Sequence, residues 1–303
     1  MEGYFWRFSD PKSGRVVVAL CGVTRTEDVA WASVCLAGHP GGFVRSADVR
    51  PAGACATRLG VWAGDGTFRA DSDRVRVDLG PDAELDVRIR DPRPWPRRAF
   101  GGLGAAHAVP GLSQYWHPHL LGGRADGMAM IGGAELDLDG FEVYAEKNWG
   151  EGGFPSRWWW GQAHGFQRPD ACVAFAGGDV HVGPVRLPAT ALVVRFGDEL
   201  LRVGQPFSSP VTAEARDGRW RLRGRSARWS VAVDASAAPG DAHVLPVPLP
   251  AAGYSVPGAL EHLAGVLRVT VRQRGRVVFA DESTLAGLEC GGVGRDEAGL
   301  TQR

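Results

Sequence analysis

The sequence predicts an all-β protein built of antiparallel strands and short turns. Segments that alternate apolar and polar residues recur along nearly the whole chain, which is the pattern of half-buried strands. The 43 glycines and 20 prolines among 303 residues interrupt these segments often, as expected where many short strands are joined by tight turns. The predicted arrangement is therefore a series of antiparallel meanders.

Individual strands are predicted where the alternation is clearest. They are residues 15–20, 74–79, 85–89, 191–196, 219–222, 229–233, 266–271 and 276–279. Tight hairpin turns are predicted at dipeptides that end in glycine, a common hairpin signal: Asp65-Gly66, Asp139-Gly140, Asp217-Gly218 and Arg274-Gly275. Only residues 257–267 suggest a helical turn or two.

Two irregular zones interrupt the strands. Residues 91–113 are rich in Pro, Arg and Gly, and because apolar residues continue through them we predict a long loop rather than a linker. A second break lies at residues 177–184, where glycines cluster before Pro184. A chain of this length exceeds the usual size of one domain, so two domains or one large β-structure are expected. We therefore predict an N-terminal domain of residues 1–183 and a C-terminal domain of residues 184–303.

Charge and hydropathy exclude several classes of function. The formal net charge is zero and the arginines are scattered, so a nucleic-acid partner is not expected. No apolar run approaches the roughly 20 residues of a membrane-spanning helix. The first residues, Met1-Glu2-Gly3-Tyr4-Phe5-Trp6, have neither the basic start nor the apolar stretch of a signal peptide. The expected location is cytoplasmic.

The five cysteines predict neither a disulfide framework nor a zinc site. They are odd in number and widely spread, with no Cys-x-x-Cys pair: Cys21, Cys35, Cys55, Cys172 and Cys290. His117 and His119 could share one side of a strand and bind a metal, but Pro118 separates them and no third ligand is evident. We therefore expect no metal and no other cofactor.

The most unusual stretch of the chain is residues 144–163. It holds four of the eleven tryptophans, the only asparagine (Asn148) and one of only two lysines (Lys147). Arginine cannot replace a neutral amide or an amine that can lose its proton. These two residues therefore indicate a chemical role, and the alternative is a buried aromatic hairpin that merely satisfies one polar pair.

Strand alternation divides this stretch into two faces. A strand over residues 141–149 places Glu146 and Asn148 on one face, and Lys147 on the other. We predict that residues 150–153 connect it in a hairpin to a second Trp-rich strand. One face of the hairpin would then form an aromatic wall with a few polar groups, which is the composition of a small-molecule pocket: Glu146, Asn148, Trp158, Trp160 and Gln162.

Such a wall predicts acid chemistry. Tryptophan faces stabilise cations, and an apolar environment keeps a carboxylic acid protonated. Together they form an acid that protonates a double bond and a surface that tolerates the resulting carbocation. Glu146 is the candidate acid. The alternatives are that Glu146 pairs with an arginine or with Lys147, and that the tryptophans only fill a barrel interior.

The same residues closely resemble the tocopherol cyclase family. The resemblance rests on Tyr-x-Glu-Lys-Asn-Trp-Gly at residues 144–150, Gly-Phe-Pro at 153–155 and the Trp-rich strand that contains Gln162. Weaker matches follow in the family's order at residues 3–7, 114–127 and 282–292, so the resemblance covers nearly the whole chain. The segment after Gly177 matches only loosely.

The resemblance implies a fold and a reaction. The fold would be two lipocalin-like antiparallel β-barrel or β-sandwich domains with a hydrophobic pocket, in a superfamily that includes carotenoid hydratases and fungal Diels–Alderases. The reaction would be cofactor-independent, acid-initiated cyclisation of a prenylated, quinol-type or terpenoid substrate. In tocopherol cyclases an acid protonates a prenyl alkene, and the phenol oxygen attacks the tertiary cation to close a chromanol ring. Non-catalytic binding of an isoprenoid as a carrier, and hydratase or pericyclase activity on a polyene, remain alternatives.

The candidate site residues follow from these considerations. Catalytic roles are predicted for Glu146 as the acid, for Asn148 in orienting the phenol, and for His119 in proton transfer. Asn148 could instead cap the glycine turn, and His119 could instead be a hydrogen-bonded loop histidine. Lys147 is expected to pair with a carboxylate, and it could instead contact a quinone oxygen if its face is the cavity. Substrate contacts are predicted for Tyr144, Lys147, Trp149, Trp116, Trp158, Trp160 and Gln162. The expected partner is a hydrophobic small molecule, and transient contact with a membrane surface to collect a lipid stays open.

Overall fold

The computed structural model describes residues 1–26, 29–96, 100–182, 185–205, 208–216 and 218–292. The predicted all-β fold is confirmed, because two large antiparallel sheets hold almost all of the regular structure. Within the described ranges, the helical segments are two short 3-10 helices at Gly104–Ala108 and Pro239–Asp241. No helix in these ranges is long and apolar enough to cross a membrane.

The first sheet contains 13 strands. They are β1 (Glu2–Asp10), β2 (Arg15–Arg25), β3 (Ala30–His39), β4 (Phe43–Val49), β5 (Ala52–Ala54), β6 (Gly60–Ala63), β7 (Phe68–Asp71), β8 (Arg74–Asp78), β9 (Ala83–Arg90), β10 (Tyr115–Leu120), β11 (Arg124–Ile131), β12 (Ala134–Asp137) and β13 (Glu142–Trp149). The strand order is β4-β3-β2-β1-β13-β11-β9-β8-β7-β6-β5, with β10 beside β13 and β12 beside β11. The sheet curls until β5 packs near β3.

The second sheet contains 10 strands. They are β14 (Trp158–Ala163), β15 (Cys172–Val182), β16 (Val185–Phe196), β17 (Glu199–Val203), β18 (Val211–Arg216), β19 (Arg219–Arg225), β20 (Trp229–Ser236), β21 (Ala242–Leu249), β22 (Tyr254–Gln273) and β23 (Arg276–Gly291). The strand order is β17-β16-β15-β14-β23-β22-β20-β19-β18, with β21 beside β22. This sheet also curls, and β18 returns to the side of β16.

Each curled sheet encloses its own apolar core, as the lipocalin-like prediction requires. Strand β9 shows how the sequence achieves this, because its apolar residues are all buried and its charged residues all exposed. Two further apolar clusters contain residues of both sheets. One of them joins Trp116 and Tyr144 of the first sheet to Trp160 and Val193 of the second. These shared clusters hold the two sheets face to face.

The predicted hairpin between residues 141–149 and the next strand is wrong. Strand β13 pairs with β1, β10 and β11, whereas β14 pairs with β15 and β23. Residues 150–157 therefore carry the chain from the first sheet to the second. Adjacent strands along a sequence often pair, but here β13 pairs with the distant β1 and β14 with the distant β23, and they do not pair with each other.

The division between the sheets also differs from the predicted domain boundary. The chain changes sheets between Trp149 and Trp158. The predicted boundary between residues 183 and 184 lies outside the described residues, and the flanking strands β15 and β16 form a hairpin inside the second sheet. The glycines there do not mark a linker. A Cβ at Gly177 would stand 2.2 Å from Nε1 of Trp159, so this glycine makes room for an indole ring.

Two local predictions also need correction. Residues 257–267, predicted to contain a helical turn, lie within strand β22, because pairing with β21 and β23 outweighs their helix propensity. Asp139-Gly140 joins β12 and β13, which pair with other strands rather than with each other. The turns at Asp65-Gly66 and Arg274-Gly275 are confirmed as hairpins. Asp217 of the fourth predicted turn lies outside the described residues.

Candidate functional site

A cavity of about 630 Å³ lies between the two sheets. Strands β1, β2, β10 and β13 contribute to its wall from the first sheet, and strands β14, β15, β16, β22 and β23 contribute from the second. The loop around the first 3-10 helix closes part of it with Leu103, Ala106 and Val109. Most lining residues are apolar, and a few are polar or acidic. This is the usual composition of a site for a hydrophobic small molecule.

Glu146 of β13 is the best-organised polar group in this wall. Its side chain is almost fully buried. One oxygen, Oε2, accepts hydrogen bonds from Nε1 of Trp116 at 2.8 Å, from Nε1 of Trp160 at 2.8 Å and from the hydroxyl of Tyr144 at 2.6 Å. Trp160 belongs to the second sheet, so this arrangement forms only when the two sheets pack together.

The surroundings of Glu146 favour a protonated acid that can still give up its proton. Burial raises the pKa of the Glu146 carboxyl, while the hydrogen bonds from Tyr144, Trp160 and Trp116 lower it by a smaller amount. All three donors reach Oε2, so the proton of the neutral acid resides on Oε1. The same three donors would stabilise the carboxylate once that proton has left. The site can therefore act as a general acid.

The four tryptophans that line the cavity each donate their indole N–H group to a protein acceptor. Two of these groups bond Glu146, as described above. Nε1 of Trp158 donates to Oε1 of Glu289, and Nε1 of Trp159 donates to Oγ1 of Thr190 at 3.2 Å. Because each N–H already has an acceptor, the rings present apolar π surface to the cavity. Such surface suits both a prenyl chain and a carbocation.

Glycines on the neighbouring strands make room for these rings. Gly291 lies opposite Trp158 in the β14–β23 pair, and a Cβ there would stand 1.9 Å from Cζ2 of Trp158. Gly177 does the same for Trp159 on the other side of β14. Trp158 and Trp159 thus fit side by side in one strand because glycines of the partner strands face their rings.

Asn148 also lines the cavity, two residues beyond Glu146 on the same face of β13. Its Oδ1 atom is buried and has no hydrogen-bond partner among the described residues. A buried amide oxygen without a partner is costly, and a ligand hydroxyl could satisfy it. Gly3 of β1 lies opposite, and a Cβ at Gly3 would stand 2.4 Å from this oxygen. The position of the amide therefore depends on a glycine at residue 3.

Half of the ten predicted site residues line the cavity: Glu146, Asn148, Trp116, Trp158 and Trp160. Tyr144 lies behind the wall and acts on the cavity only through its bond to Glu146. Gln162 is fully buried beyond the cavity, and its Nε2 faces Sγ of Cys172 at 3.8 Å.

Lys147, Trp149 and His119 lie away from the cavity, contrary to the predicted substrate contacts and proton transfer, but the alternative prediction that Lys147 pairs with a carboxylate is confirmed. Strand alternation turns Lys147 to the opposite face of β13, where its Nζ bonds Oε2 of Glu2 at 2.8 Å. Trp149 stacks on Tyr115, with ring centroids 5.3 Å apart. His119 packs edge-on to Trp6, and burial lowers the pKa of its imidazole to about 3. These three residues support the sheet rather than contact the space beside Glu146.

Two acidic residues of the cavity were not predicted. Glu261 of β22 and Glu289 of β23 lie opposite each other in the sheet, and both line the cavity. Glu289 belongs to the closing segment of the family resemblance, so the sequence contained a signal for it. No sequence signal indicated Glu261, because residues 257–267 were predicted to form a helical turn.

Across the described residues, no group of three or more His, Cys, Asp or Glu side chains is suited to hold a metal ion.

The solved structures that resemble this chain share its fold. They include kievitone hydratase from Nectria haematococca, at a TM-score of 0.56 and 12% identity over 96% of this chain and 88% of that one. CghA with Sch210972 gives a TM-score of 0.61 at 12% identity, with the same coverage of 96% and 88%. A putative AttH from Nitrosomonas europaea gives a TM-score of 0.52 at 14% identity, covering 96% and 92%. At these identities the likeness concerns the fold alone.

Sequence comparison identifies the family. A probable chloroplastic tocopherol cyclase of Oryza sativa is 27% identical over 197 residues, which is 61% of this chain and 41% of the relative. The chloroplastic tocopherol cyclase of Zea mays is 25% identical over 196 residues, 61% of this chain and 40% of the relative. The match thus spans about two fifths of each relative. The family model for tocopherol cyclase-like proteins matches residues 97–292. The chain therefore belongs to the tocopherol cyclase-like family.

Proposed function

We propose that this protein is a cofactor-independent enzyme that cyclises a prenylated substrate by acid catalysis at Glu146. The observation that carries the proposal is a buried carboxyl group at the wall of an apolar cavity, with three donors on one of its oxygens. The relatives named as tocopherol cyclases support a quinol with a prenyl chain as the substrate, with a terpenoid as the broader class.

The reaction begins with proton transfer. The O–H bond at Oε1 of Glu146 breaks, and a C–H bond forms at the less substituted carbon of the prenyl double bond. A tertiary carbocation and a carboxylate result. Trp116, Trp160 and Tyr144 then stabilise the negative charge on the carboxylate through their existing hydrogen bonds. These donors are in place beforehand, so little reorganisation is needed when the charge appears.

The aromatic wall stabilises the cation while the ring closes. Each tryptophan face contributes about 0.5–2 kcal/mol, with the larger values where water is excluded. The phenol oxygen forms the new C–O bond, and its proton returns to the Glu146 carboxylate. Atoms and charge balance, and the product is an isomer of the substrate. Asn148 orients the phenol by accepting a hydrogen bond from its hydroxyl group at the unpartnered Oδ1.

The direct test is incubation of the purified, metal-stripped protein with a short-chain prenyl hydroquinone under anaerobic conditions. Chromatography and mass spectrometry follow the product. We expect a chromanol with the mass of the substrate but a different retention time and fragmentation. A product heavier by one water would instead indicate a hydratase. Unchanged substrate together with saturable quenching of tryptophan fluorescence would indicate a carrier and overturn the proposal.

The pH dependence of turnover provides a second test. Burial raises the pKa of Glu146 above its ordinary 4.5, and only the protonated acid can start the reaction. The rate is therefore expected to be highest below this raised pKa and to fall as the pH rises through it, above the range of an ordinary glutamate. Initial rates across a buffer series measure this. A rate that increases with pH over that range would contradict an acid role for Glu146.

Substitution of Gly3 by alanine tests the role of Asn148 without changing Asn148 itself. The new Cβ would stand 2.4 Å from Oδ1 of Asn148, so the amide must move. We expect kcat/KM for chromanol formation to fall about tenfold, because the phenol loses one orienting hydrogen bond. Gly240→Ala is the matched control, since a Cβ there meets nothing within 4 Å. Equal activity of the two variants would remove Asn148 from the mechanism.

A further inference from the structure

The cavity contains a second acidic group that the proposed reaction does not use. Glu261 and Glu289 face each other across the β22–β23 pair. Glu261 is completely buried, and neither of its carboxyl oxygens has a hydrogen-bond partner among the described residues. Glu289 accepts one hydrogen bond at Oε1, from Trp158. A buried carboxyl group at a cavity wall, with no hydrogen-bond partner at either oxygen, can bind a polar group of a ligand.

The charge of Arg7 acts on Glu261, but Arg7 does not hydrogen-bond to these oxygens. The guanidinium of Arg7 is fully buried, and its Nη2 donates to the backbone carbonyls of Leu263 at 2.9 Å and Leu285 at 2.6 Å. The Arg7 and Glu261 charges attract each other. However, Nε and Nη1 of Arg7 have no hydrogen-bond partner among the described residues. Arg7 therefore balances charge near Glu261 without satisfying its hydrogen-bonding capacity.

Charge balance determines how many protons the cavity holds. Three carboxyl groups, those of Glu146, Glu261 and Glu289, line it, and one buried guanidinium lies beside them. Unbalanced charge in an apolar interior is expensive, so buried acids take up protons instead. If one guanidinium balances one carboxylate, charge balance requires protons on the other two carboxyl groups. The expected distribution is one proton on Glu146 and one on the Glu261–Glu289 pair.

The electrostatics of the pair agree with this balance. Burial raises the pKa of Glu261 well above its usual range, and the neighbouring Glu289 raises it further. Burial also raises the pKa of Glu289, to about 7, against the opposing effect of the Trp158 hydrogen bond. Two interacting carboxyl groups titrate as a unit, so the first proton is lost from the pair rather than from either residue alone.

We propose that Glu261 and Glu289 share a proton and form a second polar subsite, which binds a neutral hydroxyl or carbonyl group of the ligand. A carboxylic acid next to a carboxylate offers one donor and several acceptors, so it satisfies a hydroxyl in both roles. A phosphate or carboxylate is expected to bind more weakly, because it would face the carboxyl oxygens of the pair, whereas Arg7 is not among the lining residues. This inference rests on the proposed function. Asn148 orients one phenol hydroxyl of the substrate, and the Glu261–Glu289 subsite binds a second neutral oxygen group. That group is the other ring oxygen of a quinol or a separate hydroxyl or carbonyl group.

Binding of matched probes tests the subsite without requiring turnover. The probes are farnesol, the hydrocarbon in which hydrogen replaces its hydroxyl group, and farnesyl monophosphate. Each displaces the neutral dye Nile red from the cavity. For the natural sequence we expect farnesol to bind about fivefold to tenfold more tightly than the hydrocarbon, and the monophosphate to bind more weakly than farnesol.

Three variants separate the subsite from general packing. Glu261→Leu removes its hydrogen bonds, so the preference for farnesol over the hydrocarbon should fall below about twofold. Glu261→Gln keeps a donor and an acceptor and should retain the preference. Glu214→Leu, at an exposed position of β18, is the control and should change nothing. A preference for farnesol that survives in Glu261→Leu would overturn the proposal.

Infrared spectroscopy measures the shared proton directly. Protonated carboxyl groups absorb at a frequency that neither carboxylates nor amides share, and we expect this band at neutral pH to weaken in both Glu261→Gln and Glu289→Gln. Glu214→Gln should leave it unchanged. An unchanged band in both cavity variants would show that the pair holds no proton. Neither measurement depends on catalysis. A protein that is inactive but keeps the preference for farnesol would therefore contradict the cyclase proposal and support the Glu261–Glu289 subsite.

Discussion

Replacing Glu146 with glutamine is expected to lower chromanol formation by at least about 10²-fold, the range for loss of a general acid. Glutamine has nearly the same shape as the neutral acid, and its amide oxygen can still accept hydrogen bonds from Trp116, Trp160 and Tyr144. What it lacks is a proton acidic enough to reach an alkene. Single-turnover assays with the short-chain prenyl hydroquinone measure the loss, because they exclude effects of product release.

The same variant is expected to retain ligand binding, since the cavity keeps its volume and its apolar wall. Quenching of tryptophan fluorescence by the corresponding quinone measures the affinity, and we expect a change below about threefold. Glu135→Gln, at an exposed position of β12, is the matched control for activity. A Glu146→Gln protein that still forms the chromanol at the normal rate would eliminate the proposed acid.

Replacing Arg7 with methionine is expected to destabilise the fold by about 3–5 kcal/mol, the range for removing one partner from a buried set of charges. Arg7 lies on β1 of the first sheet, and its hydrogen bonds reach carbonyls on β22 and β23 of the second. Methionine fills much of the volume but cannot donate a hydrogen bond to either carbonyl. It also removes the only guanidinium that acts on Glu261 among the described residues.

Urea unfolding measures the free energy of unfolding of this variant. Arg15→Met is the control, because Arg15 is exposed on β2 and should change stability by less than about 0.5 kcal/mol. If Arg7→Met were as stable as the control, the hydrogen bonds of Arg7 to β22 and β23 would not contribute to stability. The charge balance in the cavity would then require another cation.

Much of this protein follows from local sequence pattern. The alternation in residues 85–89 and 219–222 predicted strands that the structure contains, because the period of two depends only on which face of a strand is buried. The same reasoning placed Glu146 and Asn148 on one face of β13 and Lys147 on the other, as observed. The family resemblance added the lipocalin-like fold, which periodicity alone does not specify.

Long-range pairing could not be predicted in this way. The pattern of residues 158–163 describes a strand but does not say whether its partner is β13, β15 or β23, since each offers a compatible face. Gly177 and Gly178 suggested a domain boundary, although Gly177 makes room for the ring of Trp159 and Gly178 lies against Arg157 and Pro155. Residues 257–267 contain good helix formers, yet pairing on both sides makes them a strand.

The sequence by itself therefore determined the all-β class, the face of β13 that carries the acid, and the tryptophans that accompany it. Only the tertiary structure decided that Glu146 and Trp160 meet across two sheets, and that Glu261 and Glu289 join them in one cavity. The physical reason is that burial and side-chain alternation act within a strand and leave a periodic trace. The contacts between sheets depend on how two curled surfaces pack, and no short segment of the chain encodes that.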